Sequence, residues 1–324
     1  MKAVVYKKYG QPDVLESREI EKPKPVQGEV LVRVHSVSLN ASDMELLTGT
    51  PLYSRMWGLW APKKQILGSD IAGIVEKTGE GVSQLNVGDQ VMGDAIGHWG
   101  GLAEYVCLPE SVLVKKPSSI SFDEASTLPQ AGSIALQGIL DKGRVREGQS
   151  ILINGAGGGS GTFAIQLAKL QGAKVTGVDN AKKLDTMLGS GADYVIDYEK
   201  EDFTKTGKRY DLILDLVAHR SILAYRRAMH PQGKYMMVGG SMGTMFQILL
   251  LGTVISALGS RKTSILGVRQ NQQSLLRVIE LFEARKIVPR IDQIFTLDQT
   301  SEAMRYMMDG RAQGKIVIKV FSGS

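Results

Sequence analysis

Five glycines fall within the seven residues Gly155–Gly161. Glycine in the interior of a helix or strand costs roughly 0.5–1 kcal/mol relative to alanine, so this density indicates that the backbone itself needs the freedom. The residues before it, SILIN, are typical of a strand, and Phe163, Leu167 and Leu170 have the i, i+4, i+7 spacing of a buried helix face. A strand, a glycine turn and a helix N-terminus in this order can bind an anion such as pyrophosphate.

The strict spacing G-x-G-x-x-G is not met, because a pattern that starts at Gly155 has serine where the last glycine should be. The motif that stands here is A-x-G-x-x-G. A second predicted strand, AKVTGVD, ends in Asp179, about 20 residues further on, where a carboxylate can accept hydrogen bonds from both ribose hydroxyls of adenosine. The pattern therefore predicts a dinucleotide site, and the turn residues expected in it are Gly155, Ala156, Gly157, Gly158, Gly159, Ser160 and Gly161.

Charged residues near Asp179 bear on which dinucleotide binds. A carboxylate opposite the 2′-phosphate of NADP(H) sets like charges together, so Asp179 favours NAD(H). Lys182 and Lys183 follow closely and could attract that phosphate, or they could form an exposed helix start. Either NAD(H) or NADP(H) is expected, with a weak preference for NAD(H).

The elements around this turn change character along the chain. The first third consists of short strand patterns separated by glycine and proline, which is typical of an antiparallel barrel or sandwich. From Ser121 helical and strand patterns alternate, which argues for a parallel, doubly wound sheet. The final KIVIKVF matches the strand-rich part, so we predict a nucleotide domain at 125–264 inserted between segments 1–124 and 265–324 of a catalytic domain.

Composition favours a globular protein with few partners beyond small molecules. Lysine and arginine number 39 against 33 acidic residues, without the stripe of basic and aromatic residues that nucleic-acid binding needs. The lone Cys107 excludes an intramolecular disulfide, and an N-terminal signal pattern is not recognisable, so we expect a cytoplasmic protein. No run of 18 apolar residues occurs; the apolar segment 245–259 is interrupted by polar residues and is predicted to be buried or to form an interface.

Several linked motifs give the chain a family resemblance over essentially its whole length. They are LNASDMELLTG, LGSDIAGIVEKTGEGV, VGDQVMG, GGLAEYVCLPE, TLPQAGSIALQGI, NGAGGGSG, GADYVIDY, YDLILDLV and GKIVI. With these the chain resembles the medium-chain dehydrogenase/reductase superfamily, in its zinc-independent quinone oxidoreductase (zeta-crystallin-like) branch. The resemblance implies an α/β fold, with a Rossmann doubly wound parallel sheet inserted in a GroES-like β-barrel catalytic domain. It also implies a homodimer, and contacts to nicotinamide from Gly239, Gly240 and Ser241.

The activity that the resemblance implies is hydride transfer from NAD(P)H to a quinone or an α,β-unsaturated carbonyl, without zinc. In zinc alcohol dehydrogenases of the superfamily, a cysteine stands in the place of Asn40 and a histidine in the place of Ser69. Asparagine and serine are poor zinc ligands, so no metal is expected and oxidation of plain alcohols is the weaker interpretation.

Three residues are candidates for acting on the acceptor, and each also has a plain structural interpretation. The Asn40 amide is expected to donate a hydrogen bond in the pocket, or it only caps a turn. Tyr53 donates to a carbonyl or packs, and His98 supplies a proton or is simply solvated. Two other functions remain open: a zinc-free alcohol or aldehyde reductase of the same superfamily, and a dinucleotide-sensing protein, including one that binds RNA.

Overall fold

The computed structural model describes residues 1–257 and 260–321, whose contacts form two compact units. The first unit comprises Met1–Gln130, Gln270–Glu280 and the described part of Ile291–Ser324. The second unit comprises Ala131–Arg269 and Leu281–Arg290.

Strands and helices are numbered in chain order. The strands are β1 (Lys2–Val5), β2 (Glu16–Glu19), β3 (Glu29–Ser38), β4 (Asp70–Thr78), β5 (Gln90–Asp94), β6 (Tyr105–Pro109), β7 (Leu113–Lys115), β8 (Ser150–Asn154), β9 (Lys174–Asp179), β10 (Tyr194–Asp197), β11 (Tyr210–Asp215), β12 (Met229–Met237), β13 (Lys262–Ile265), β14 (Ile291–Thr296) and β15 (Lys315–Lys319). The α-helices are α1 (Ala41–Thr48), α2 (Phe122–Thr127), α3 (Pro129–Leu136), α4 (Gly159–Leu170), α5 (Leu184–Gly189), α6 (Ile222–Arg227), α7 (Met242–Ala257), α8 (Gln272–Glu283) and α9 (Thr300–Met308). Shorter 3₁₀ segments connect some of these, and a π-helical turn, Gln137–Asp141, follows α3.

The first unit is built on a mainly antiparallel sheet. Its strand order is β14-β15-β3-β4-β5-β7, with β6 also paired to β3, and β14 runs parallel to β15. Val30, Val32 and Val34 of β3 are fully buried in its core. Strand β15 pairs with β3 through Val317–Lys319, so the end of the chain belongs to the same sheet as its first third.

The second unit contains a parallel six-stranded sheet with the order β10-β9-β8-β11-β12-β13. The chain winds from β8 towards β10 and then returns to build β11 to β13 on the other side, so the winding direction reverses between β8 and β11. In open α/β sheets ligands bind at the carboxyl ends of the strands at such a reversal. The glycine turn follows β8 directly, and the predicted fold class is confirmed.

Some predicted boundaries and elements differ from the structure. The prediction divided the chain near residues 124 and 264, whereas the units divide after Gln130 and Arg269, and Leu281–Arg290 packs with the second unit. Strand β14 was not predicted, because its residues are mostly exposed or half-buried at the sheet edge and carry little alternation.

The apolar segment 245–259 lies on α7, apart from residues 258 and 259, which fall outside the described residues. Burial was the wrong expectation for Phe246, Leu249 and Leu250, which are 52%, 57% and 72% exposed. An interface there stays a prediction. Within the described chain, no helix has the length and apolar character needed to cross a membrane.

Candidate functional site

The glycine turn brings the start of α4 close to the end of β8. Gly155 has φ +82°, a left-handed conformation that side chains rarely adopt. A Cβ on Gly161 would lie 2.4 Å from the Gly155 carbonyl oxygen, so any larger residue would push the helix away from the strand. A Cβ on Gly158, the N-cap, would meet nothing nearer than 3.5 Å. The helix N-terminus is therefore open on that side, where its unpaired N–H groups can bind a phosphate.

Asp179 ends β9 and contacts this turn directly. Its carboxylate accepts hydrogen bonds from the backbone N–H groups of Gly157, at 3.0 Å, and Asn180, at 2.9 Å. Lys183 Nζ lies 3.3 Å from the same carboxylate, and both side chains are about nine-tenths buried. Lys183 is thus not an exposed helix start, and its charge is already paired with Asp179.

Gly239, Gly240 and Ser241 follow β12 and are joined to the turn that follows β11. Ala218 N–H donates to Gly239 O at 2.9 Å, and Ser241 N–H donates to Ala218 O at 2.7 Å. Gly240 has φ +135°, and a Cβ there would lie 2.2 Å from Ala218 O. The Ser241 hydroxyl accepts from Thr244 N at the start of α7, so it caps that helix.

A buried polar network that sequence reasoning missed supports these turns. Asp215, at the end of β11, accepts from Asn154 Nδ2 at 2.7 Å and from the Tyr235 hydroxyl at 2.9 Å. Burial raises the pKa of Asp215, and the hydrogen bonds oppose that rise. The asparagine at the end of the predicted strand SILIN and the second aspartate of the predicted strand YDLILDLV were the available signal.

Asn40 lies in the first unit, where β3 leads into α1, and its backbone N–H donates to Asp43 Oδ2 at 2.9 Å, which caps the helix. Its side chain is only 7% exposed. Asn40 Nδ2 donates to Ser69 Oγ at 3.2 Å, and its Oδ1 accepts from Lys315 Nζ at 2.6 Å. Lys315 Nζ also lies 3.5 Å from Asp70 Oδ2. We call Asn40, Ser69, Asp70 and Lys315 the Lys315 cluster.

Ionisable groups of the Lys315 cluster are perturbed by their burial. Burial raises the pKa of Asp70 above its usual range, and the Lys315 ammonium opposes that rise. Burial lowers the pKa of Lys315, and Asp70 and Asp43 oppose the fall. Each charge therefore stabilises the other, because burying an ionised group is costly unless it is paired and hydrogen-bonded.

Tyr53 and His98 are not hydrogen-bonded to Asn40 in the part of the chain that the structure describes. The Tyr53 hydroxyl donates to Glu45 Oε2 at 3.0 Å, and burial, together with the Glu45 charge, raises its pKa, so the phenol keeps its proton. His98 lies on the loop after β5 with an exposed but partly covered side chain; this partial burial, followed by the charge of Lys64, lowers its pKa. Among the described residues, no group of three His, Cys, Asp or Glu side chains could hold a metal ion.

Known proteins resemble this chain over its full length. A family model described as an alcohol dehydrogenase GroES-like domain matches residues 26–118, and one described as a zinc-binding dehydrogenase matches residues 190–318. The chain is 32% identical to the 2-methylene-furan-3-one reductase of Solanum lycopersicum, over 98% of this chain and 79% of the relative. It is 31% identical to the chloroplastic quinone-oxidoreductase QR1 of Triphysaria versicolor, over 98% of each chain. The solved quinone oxidoreductase from Coxiella burnetii superposes with a TM-score of 0.90 at 29% identity, over 99% of each chain.

Proposed function

Because the chain belongs to the medium-chain dehydrogenase/reductase superfamily, we propose that it is an oxidoreductase that transfers hydride from NAD(P)H to quinones or α,β-unsaturated carbonyls. The names of two relatives support this acceptor class. One is a quinone oxidoreductase, and the other is a reductase of 2-methylene-furan-3-one, which is an α,β-unsaturated ketone. The observation that carries the proposal is the amide of Asn40, bonded to a buried ammonium, in the place where the family resemblance implies a metal-binding cysteine in zinc alcohol dehydrogenases.

The second unit supplies the groups that would bind the cofactor. The open N-terminus of α4, within Gly155–Gly161, suits the pyrophosphate, and Asp179 with Lys183 suits the adenosine ribose. The backbone of Gly239–Ser241, at the carboxyl end of β12, suits the nicotinamide. The bound cofactor supplies the hydride.

The first unit supplies hydrogen-bond donors for the acceptor. As hydride reaches a carbon atom of the acceptor, negative charge accumulates on its oxygen, and donors aimed at that oxygen stabilise it. Asn40 is the proposed donor, and Tyr53 is the second once its hydroxyl exchanges Glu45 for the acceptor. A quinone or enone spreads the charge over a conjugated system, so these neutral donors suffice. The final proton comes from solvent or from His98.

The residues of the Lys315 cluster do not fit zinc, although one family model carries a zinc-binding description. Asn40 and Ser69 offer an amide and a hydroxyl, which zinc accepts poorly. The amide oxygen is already bonded to an ammonium group 2.6 Å away, and a dication would be repelled by that charge. We therefore propose a reaction that needs no metal.

NADH is the proposed preference, and it is a weak one. The Asp179 carboxylate would repel a 2′-phosphate, whereas the Lys183 ammonium beside it offsets part of that repulsion. Both cofactors should therefore be accepted.

A cytoplasmic location and a homodimer belong to the same proposal. The single Cys107 suits a reducing compartment, and the exposed leucines of α7 suit an interface. A nucleic-acid partner is not proposed.

Acceptor assays with both cofactors test the function. A matched pair, 2-cyclohexenone and cyclohexanone, differs only in conjugation, and a simple quinone extends the series. We expect the quinone or the enone to exceed the saturated ketone in kcat/KM by at least about tenfold, which corresponds to about 1.4 kcal/mol in barrier. Equal rates on the two ketones would favour the alcohol or aldehyde reductase instead. Cofactor binding without turnover of any acceptor would favour a sensing protein.

A further inference from the structure

Lys315 has no assigned role, although it is among the most buried charged residues of the first unit, with 3% of its surface exposed. Its ammonium group donates to Asn40 Oδ1 at 2.6 Å and to Leu39 O at 3.2 Å. Asp70 Oδ2, 3.5 Å away, supplies the opposite charge. Burying an ammonium group costs free energy unless it is paired and hydrogen-bonded, so this arrangement needs a reason beyond packing.

The ammonium determines which way the Asn40 amide faces. The oxygen and nitrogen of an amide are hard to distinguish except by their hydrogen-bond partners. A lysine ammonium has three donors and no acceptor, so the amide atom that faces it must be the oxygen. The Asn40 nitrogen is thereby turned the other way, towards Ser69 Oγ at 3.2 Å.

We propose that Lys315 is a positioning residue for hydride transfer: it holds the Asn40 amide with its oxygen towards the ammonium and its nitrogen turned away, and it polarises the amide hydrogens with its charge. The inference rests on the proposed function, since it concerns the donor to the acceptor oxygen. In this role Lys315 acts through the Asn40 amide, to which it is bonded, and not on the acceptor itself.

The two hydrogens on Asn40 Nδ2 are held unequally. Ser69 Oγ accepts at 3.2 Å and the Asp70 carboxylate also accepts a hydrogen bond from the Asn40 side chain, whereas Ser38 O lies at 3.4 Å, beyond the usual range for such bonds. Both hydrogens thus have protein partners, and we expect an acceptor oxygen to displace the long contact to Ser38 O. Because hydrogen bonds in a chain polarise one another, a cation on the amide oxygen strengthens the donor as the acceptor becomes negative.

Three carboxylates act on the Lys315 ammonium. Asp70, Asp43 and Asp94 all raise its pKa, against the lowering that burial causes. The charge that the proposed role needs is thus supported by groups that reach Lys315 from β4, α1 and β5.

A double-mutant cycle tests whether Lys315 acts through Asn40. Asn40→Ala and Lys315→Met should each lower kcat for the quinone at least about tenfold, with little change in NADH affinity, as expected for interactions made in the transition state. The combined variant should be no slower than Asn40→Ala alone. A Lys315→Met enzyme within twofold of wild type, or effects that multiply in the combined variant, would overturn the proposal.

Lys116 provides the matched control. It is a buried lysine of the same unit, 8% exposed, and it donates to the main-chain carbonyls of Pro117 and Ile120. Lys116→Met should leave kcat unchanged. If Lys315→Met does not fold, Lys315→Met/Asp70→Asn removes both buried charges together, and its kcat is compared with that of Asp70→Asn.

A measurement that needs no turnover separates this inference from the proposed function. In protein labelled with ¹⁵N-asparagine, the Asn40 side-chain NH₂ signals should shift or broaden in Lys315→Met and stay in place in Lys116→Met. Unchanged Asn40 signals in Lys315→Met would overturn the positioning role. A wild-type enzyme that reduces no quinone or enone would instead contradict the proposed function, while these signals would still report whether Lys315 orients the amide.

Discussion

Asp179 is in contact with three nitrogen atoms. Two of them are backbone N–H groups, of Gly157 and Asn180, and the third is the Lys183 ammonium. The carboxylate is therefore both anchored to the glycine turn and partly neutralised. A carboxylate held in this way discriminates against a 2′-phosphate less strongly than a free one would.

Substitutions at this pair should move cofactor preference in opposite directions. Asp179→Ser should shift the ratio of kcat/KM values towards NADPH, because it removes the repelling charge. Lys183→Met should shift the ratio towards NADH, because the carboxylate is left without its counter-charge. Steady-state kinetics with both cofactors measure these ratios, and melting temperatures show whether the buried partner left behind destabilises the fold.

Lys182→Met is the control for that pair, since Lys182 is exposed and its loss should leave the ratio unchanged. A wild-type enzyme that prefers NADPH by tenfold, about 1.4 kcal/mol, would contradict the role assigned to Asp179.

Cofactor binding at the turn between β8 and α4 should depend on how closely α4 approaches β8. Gly161→Ala should weaken NADH binding by at least about tenfold. The added Cβ would lie 2.4 Å from Gly155 O, so it would displace the helix N-terminus that is proposed to bind phosphate. Gly189→Ala, at the end of α5, is the matched control, because a Cβ there meets nothing within 4 Å. Titration of cofactor fluorescence compares the two, and equal affinities would show that the cofactor does not use this turn.

The packing of α2 on β3 should make stability depend on pH. His35 of β3 stacks on Phe122 of α2, with ring centroids 4.2 Å apart. Burial lowers the pKa of His35, with Arg33 acting in the same direction and Asp123 opposing. The unfolded chain, with a histidine pKa of about 6.5, then binds the proton more readily, so stability is lost as pH falls from about 6.5 through the folded pKa.

His35→Phe tests this, because it keeps an aromatic ring against Phe122 and removes the proton site. Between about pH 7.5 and 5.5, the melting temperature of wild type should fall more than that of the variant. Parallel curves would mean that His35 contributes nothing to the pH dependence.

For the molecule as a whole, purified protein should contain no stoichiometric zinc and should keep its activity in a chelator. The reason is the donor set of the Lys315 cluster: an amide and a hydroxyl, which zinc disfavours, and one carboxylate that is already paired with an ammonium group. Elemental analysis and assays before and after EDTA measure this, with a zinc-dependent alcohol dehydrogenase as the positive control for metal removal. One zinc per chain, or activity lost in EDTA and restored by zinc, would contradict it.

Local sequence determined much of the architecture. The glycine run, the helical spacing that follows it and the alternation of helix and strand predicted the parallel sheet, because such patterns reflect constraints within one or two neighbouring elements. Strand β14 escaped prediction for the same reason, since an exposed edge strand carries little pattern. Gly155 and Gly161 could be recognised from their spacing, and their tight contacts explain why glycine stands there.

The arrangement around Asn40 was decided by tertiary structure. Lys315 is 275 residues away in sequence and reaches the amide only because β15 pairs with β3. Sequence identified Asn40 and Ser69 by type and place, but a hydrogen bond between distant side chains leaves no local pattern to read. Lys183 is similar: from the sequence it could attract a phosphate or belong to an exposed helix start, and only the packing of the glycine turn buried its charge together with that of Asp179.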